Sequence, residues 1–167
     1  MSAFPKAMGA TFSPDRKRRF ALWRVWNREA GLMLWVMCNP STAGEARDDP
    51  TIRRIADFTK RAKYGGFVVA NLITQVTAHP IYLRAEPEPP EADQALRDAI
   101  AACGLRVAAW GVPSVRTPEV WALFQEREKF AVELCGEMLC LGTTRSGGHP
   151  RHPVRLPKAT KFERYYR

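Results

Sequence analysis

The sequence has little of what carries metal and redox chemistry. Its 167 residues include three histidines and four cysteines, and Cys38, Cys103, Cys135 and Cys140 show no C-x-x-C spacing. A disulfide framework and a structural zinc are therefore not expected; buried, reduced thiols in a cytoplasmic protein are the simplest account. No apolar run approaches the roughly 18 residues of a membrane span, and the N-terminus has no signal-peptide core. Walker A, G-x-G-x-x-G, G-x-S-x-G and H-E-x-x-H are all missing, which removes support for kinase, dehydrogenase, α/β-hydrolase and zincin readings. No cofactor is expected. Acid is short as well: 17 Asp and Glu against 26 Lys and Arg leave a formal charge of +9. That excess favours an anionic partner, nucleic acid first and a nucleotide or membrane surface second.

What is present is a buried strand that opens onto a polar loop. Leu32 to Met37 is an unbroken apolar run ending at Asn39-Pro40-Ser41-Thr42, as expected of a strand covered on both faces. Asp49 then fits an N-cap and Pro50 the first helical position of a helix to about Lys63, with Ile52, Ile55, Ala56 and Thr59 inside and a basic remainder that includes Arg53 and Arg54. The adjacent acids Asp48 and Asp49 could instead hold magnesium, but a helix cap is the simpler reading. Tyr64-Gly65-Gly66 ends this helix, with glycine expected in the left-handed cap.

Further strands are expected at Phe67–Ile73, with Asn71 near its end, at Leu105–Trp110, ending on Gly111, and at Glu137–Leu141. Helices are expected over Glu91–Cys103 and from Thr117 to about Leu134. Thr74 to Pro90 reads as a wide proline-rich rim or lid. Residues 1–15 read as a loose arm and 16–167 as a single α/β domain. Arg18 to Met37 reads as a β-hairpin, its basic run Arg16–Arg19 either a phosphate track or a solvated edge. The order implies a three-layer α/β/α sandwich around a mostly parallel four-stranded core with an N-terminal hairpin edge. In such sheets the strand ends share one edge, so Asn39, Asn71, Trp110-Gly111 and the Gly/His-rich segment up to His152 would line one pocket suited to a heteroaromatic base.

Two resemblances add to this. N-P-S-T-A (39–43), D-P-T-I-R-R (49–54), Y-G-G-F (64–67), A-W-G (109–111), L-G-T-T (141–144) and P-R-H-P (150–153) resemble a small prokaryotic and phage family known only as a domain of unknown function. The ordered set Asn39-Pro40, Asn71, Trp110-Gly111 and His152-Pro153 is similar, more distantly, to the uracil-DNA glycosylase superfamily. That second resemblance implies a glycosylase acting on a nucleic acid or nucleotide. Asn39, or Asp49 as the nearest acid, would position the attacking water, and Asn71 would read the base. His152 would donate to the leaving base, with His149 a rival, while Ser41 and Thr42 would hold a phosphate and Pro40, Trp110 and Gly111 complete the binding site. Arg53, Arg54, Arg145 and Arg151 are the expected backbone contacts. A silent DNA- or RNA-binding module and a small-molecule enzyme acting on nucleosides are the alternatives.

Overall fold

Residues 32–37 demand cover on both faces, and the architecture supplies it. A computed structural model describes residues 4, 6–115 and 117–166. It contains β1 (Met8–Phe12), β2 (Arg19–Val25), β3 (Met33–Met37), α1 (Pro50–Arg61), β4 (Gly66–Asn71), α2 (Pro90–Ala102), β5 (Leu105–Ala108), α3 (Pro118–Cys135), β6 (Met138–Cys140) and β7 (Glu163–Tyr165). The seven strands form one sheet in the order β1-β2-β4-β3-β5-β6-β7. Every residue of β3 is buried, and β4 and β5 flank it in parallel.

Helix α1 starts where the sequence says it should. The Asp49 carboxylate accepts from the Ile52 N–H at 2.8 Å, and Pro50 occupies the first turn, where its missing N–H costs nothing. Its Ile52, Ile55 and Phe58 join Met33, Trp35, Phe67 and Val69 in one apolar cluster. Leu96 and Ala99 of α2, with Val120, Phe124 and Ala131 of α3, join Leu34, Val36, Val68 and Ala70 in the other. Since alternate residues of β3 and β4 fall in different clusters, α1 serves one face of the sheet and α2 and α3 the other.

Three expectations need correcting. The sheet is mixed, not mostly parallel: β4-β3-β5-β6 is a parallel core, but β1-β2, β2-β4 and β6-β7 are antiparallel. The expected hairpin of β2 with β3 does not form, because β3 already has a parallel neighbour on each side and β2 lies beyond β4, with Leu22 opposite Val69. Its hairpin partner is instead β1, so part of the expected loose arm is an edge strand; residues 1–3 and 5 of that arm lie outside the described residues. The left-handed residue after α1 is Lys63 (φ 63°), not a glycine. Gly65 is needed for another reason: a Cβ there would sit 1.5 Å from the Asn27 carbonyl oxygen.

The parallel strands reverse order at β3, with β4 on one side and β5 on the other. Loops leaving β3 and β5 diverge there, which opens a crevice at their C-terminal ends.

Candidate functional site

That crevice holds a cavity of about 330 Å³, the size of a small-ligand site. Its wall includes Asn39 and Ser41 after β3, Asp49 and Thr51 at the start of α1, Asn71 at the end of β4, Trp110 and Gly111 after β5, and His152. Register explains the meeting: Met37 lies opposite Asn71 on the parallel pair, and Leu72 and Ile73 bond back to the carbonyls of Met37 and Cys38.

Each polar residue is held in a definite way. Asn39 Nδ2 donates to the carbonyls of Pro40 (3.1 Å) and Thr77 (2.9 Å), tying β3 to the loop over residues 74–90. That loop forms a rim of the cavity through Thr77, Ala78 and Pro80. Glu88 fixes it by accepting from Thr74 and from Arg18, and Gln75 and Arg84 exchange a pair of bonds across it. Gly111 has φ 66° and lies so near His152 that a Cβ would meet the His152 Cβ at 3.2 Å. His152 Nδ1 accepts from the Val154 N–H at 3.3 Å, so the neutral ring carries its proton on Nε2. Burial lowers the pKa of His152, partly opposed by the field of Asp49, so this ring favours the neutral form.

Pro40, Thr42, Arg53, Arg54, Arg145 and Arg151 are not in the cavity wall. Pro40 is buried beside it, Thr42 is exposed, and Arg53 spans back to the Asp48 carbonyl at 2.8 Å. Arg145 and Arg151 are exposed on the segment that leads to His152. His149 lies elsewhere, buried against Glu128, Trp121 and Phe124. The Trp110 indole also points to Glu128, with Nε1 donating at 2.8 Å. Cys38 lines the cavity, but burial pushes its thiol up to about 12, which leaves no thiolate for nucleophilic work.

Sequence reasoning missed Arg19, 3% exposed and part of the wall. It donates to the Ala43 carbonyl (2.8 Å) and to Asn71 Oδ1 (3.3 Å). Further along β2, Arg24 bonds the Gly44 carbonyl and pairs with Asp48 at 2.7 Å, so two buried arginines hold the loop that carries Asp49. For Arg24 the signal was there: Phe20 to Val25 reads as a strand, and an arginine inside such a strand must find partners if both faces are covered. Among the described residues no three His, Cys, Asp or Glu side chains are grouped to hold a metal ion. No described helix is long and apolar enough to cross a membrane.

Residues 19–154 match a family described as "Protein of unknown function (DUF1643)". The chain belongs to that family. No curated protein and no solved structure matches it. The DUF1643 match begins at Arg19 and ends two residues past His152, so it takes in the whole cavity wall.

Proposed function

We propose that this DUF1643 protein binds a nucleobase of a nucleic acid or nucleotide in the strand-end cavity, on a three-layer fold of the uracil-DNA-glycosylase type, and hydrolyses the N-glycosidic bond of an unusual base. One observation carries the reading: Asn39, Asp49, Asn71, Trp110-Gly111 and His152 come from the ends of four strands and the loops that follow them and line a single base-sized cavity. In this scheme water attacks C1′ of the sugar while the C1′–N bond breaks and its electron pair leaves with the base. Asp49 takes the proton from the water. Asn39, its Nδ2 already committed, offers its Oδ1 to orient that water. The His152 Nε2–H donates to the base oxygen on which negative charge builds, an oxyanion-type stabilisation by a neutral donor. The exposed Arg53, Arg145 and Arg151 and the half-buried Arg54 take phosphates outside the cavity.

Base release from labelled single- and double-stranded oligonucleotides carrying modified bases tests this directly. Asp49→Asn is the informative variant, because asparagine caps a helix as well as aspartate but cannot take a proton. Release should fall on the order of 100-fold with the fold intact. A second reading has its own support: Asp49 and Asn39 both carry structural bonds, as a silent binder would have them. Salt-sensitive oligonucleotide binding without release from any substrate would favour that reading and remove the glycosylase.

A further inference from the structure

The reaction proposed above leaves Arg19 unused. Strand β2 runs antiparallel to β4, so the N-terminal end of β2 brings Arg19 to the sheet edge where β4 ends at Asn71. Arg19 is almost wholly buried, and among the described residues it forms no ion pair. The two hydrogen bonds of its guanidinium go to neutral acceptors, the Ala43 carbonyl and the Asn71 amide oxygen. A guanidinium can only donate, so the Asn71 atom facing it must be the oxygen, and the orientation of the amide is fixed by chemistry.

Two donors are left over. Arg19 Nε and Asn71 Nδ2 are both buried, and among the described residues neither has an acceptor. They belong to touching side chains in one cavity wall, and one of those side chains is charged. The field of Asp49 favours that charge from beyond ion-pair distance, while Arg24 opposes it. Burial brings the guanidinium down to about 10, which still leaves it cationic at neutral pH. A buried charge without an ion-pair partner and a buried donor without an acceptor are both costly, and one ligand would relieve both.

We propose that Arg19 and Asn71 form an anion-recognition pair, which binds a delocalised anion presenting two acceptor atoms on one edge through Arg19 Nε–H and Asn71 Nδ2–H. The inference rests on the base-pocket reading only for the source of that anion. An ionised oxo-heterocycle presents such an edge, and so does a phosphate. The pair also differs from an amide that meets an imide with one donor and one acceptor, because the Asn71 oxygen already accepts from a charged guanidinium whose Nε–H adds a second donor beside the amide N–H.

Titration calorimetry on the full chain separates these cases, with xanthine above its first ionisation, inorganic phosphate, and adenine as a flat neutral control. Asn71→Asp keeps the shape but sets a fixed carboxylate against Arg19 in place of the ligand. Xanthine should bind at least tenfold more tightly than adenine, and Asn71→Asp should weaken it at least tenfold with the melting temperature not lowered. Should that variant fail to fold, Arg19→Lys, which keeps the charge and loses the Nε donor, should show the same loss. Phosphate binding that Asn71→Asp weakens, without xanthine binding, would support the pair and overturn the base pocket. Adenine bound as well as xanthine would overturn the pair and leave the base pocket standing. No binding by any of the three, or binding indifferent to both variants, would overturn the pair.

Discussion

Two clusters of buried polar side chains lie side by side in this fold, and they are built to opposite plans. Under α3, Glu128 accepts from Trp110 Nε1 at 2.8 Å and faces His149 Nδ1 at 3.2 Å, while the neighbouring Arg127 pairs with Asp93 at 2.7 Å and donates to the Leu72 carbonyl at 3.0 Å. Arg127 there meets an opposite charge, and Glu128 meets two ring nitrogens. At the cavity, Arg19 meets only neutral oxygens, and two donors remain unmatched. Both clusters cost desolvation, but only the first recovers that cost within the chain. The contrast also separates the two histidines that sequence alone left as rivals: His149 completes a structural cluster, and His152 lines the cavity.

If that contrast is right, the two clusters answer mutation to different degrees. Glu128→Ala strands the Trp110 and His149 donors in the interior and should destabilise the protein by about 3 kcal/mol or more in urea titrations. Arg19→Met removes a buried charge that lacks an ion-pair partner but strands the Ala43 and Asn71 acceptors, so it should cost about 1–2 kcal/mol, less than Glu128→Ala, while abolishing anion binding. Equal losses from the two would break the comparison, because Arg19 would then be as structural as Glu128.

A pair of glycines sharpens it at smaller amplitude. Gly111 and Gly136 both have a positive φ, 66° and 67°, which a side chain disfavours, so alanine should strain either by about 1 kcal/mol or more. A Cβ at Gly136 meets nothing within 4 Å, whereas at Gly111 it presses on His152. Thermal melts should therefore fall in both variants, but base release or binding should suffer only in Gly111→Ala. Should Gly136→Ala impair the cavity equally, the close approach to His152 has no functional meaning.

The legible parts of this protein were those written locally. An all-apolar run bounded by Asn39-Pro40, an Asp49-Pro50 cap and an Asn71 closing a buried strand are patterns a few residues long, and each stands where the sequence suggested. Illegible parts were those conferred by a distant partner. Met8–Phe12 is MGATF, with small residues and weak strand propensity; Gly9 serves because the Trp23 ring lies 2.3 Å from where a Cβ would be. The antiparallel seat of β2 beside β4 depends on Gly66, where a Cβ would lie 2.6 Å from the Arg24 carbonyl oxygen, a close approach that no periodicity reports. Arg19 was lost for the same reason: its neighbours Arg16, Lys17 and Arg18 made it one of a basic run, and only the position of β4 turns it inward.

The smallest effect expected is on pH dependence, and it tests whether His152 belongs to the cavity's plan. Burial holds its folded pKa below the ordinary value, so the unfolded chain takes up a proton that the folded chain resists. Stability due to this residue is then complete above about pH 6.5 and is lost as the pH falls through the folded pKa. Every other titrating group acts on the same curve, which makes a difference measurement necessary. His152→Asn keeps an acceptor for the Val154 N–H but does not titrate there. Urea titrations of wild type and this variant should therefore differ by a constant amount above pH 7, and the gap should shift in the variant's favour as acid is added. Parallel curves down to pH 5 would mean that the His152 ring is solvated and charged like any surface histidine, and a neutral donor to a leaving base would have to be sought elsewhere.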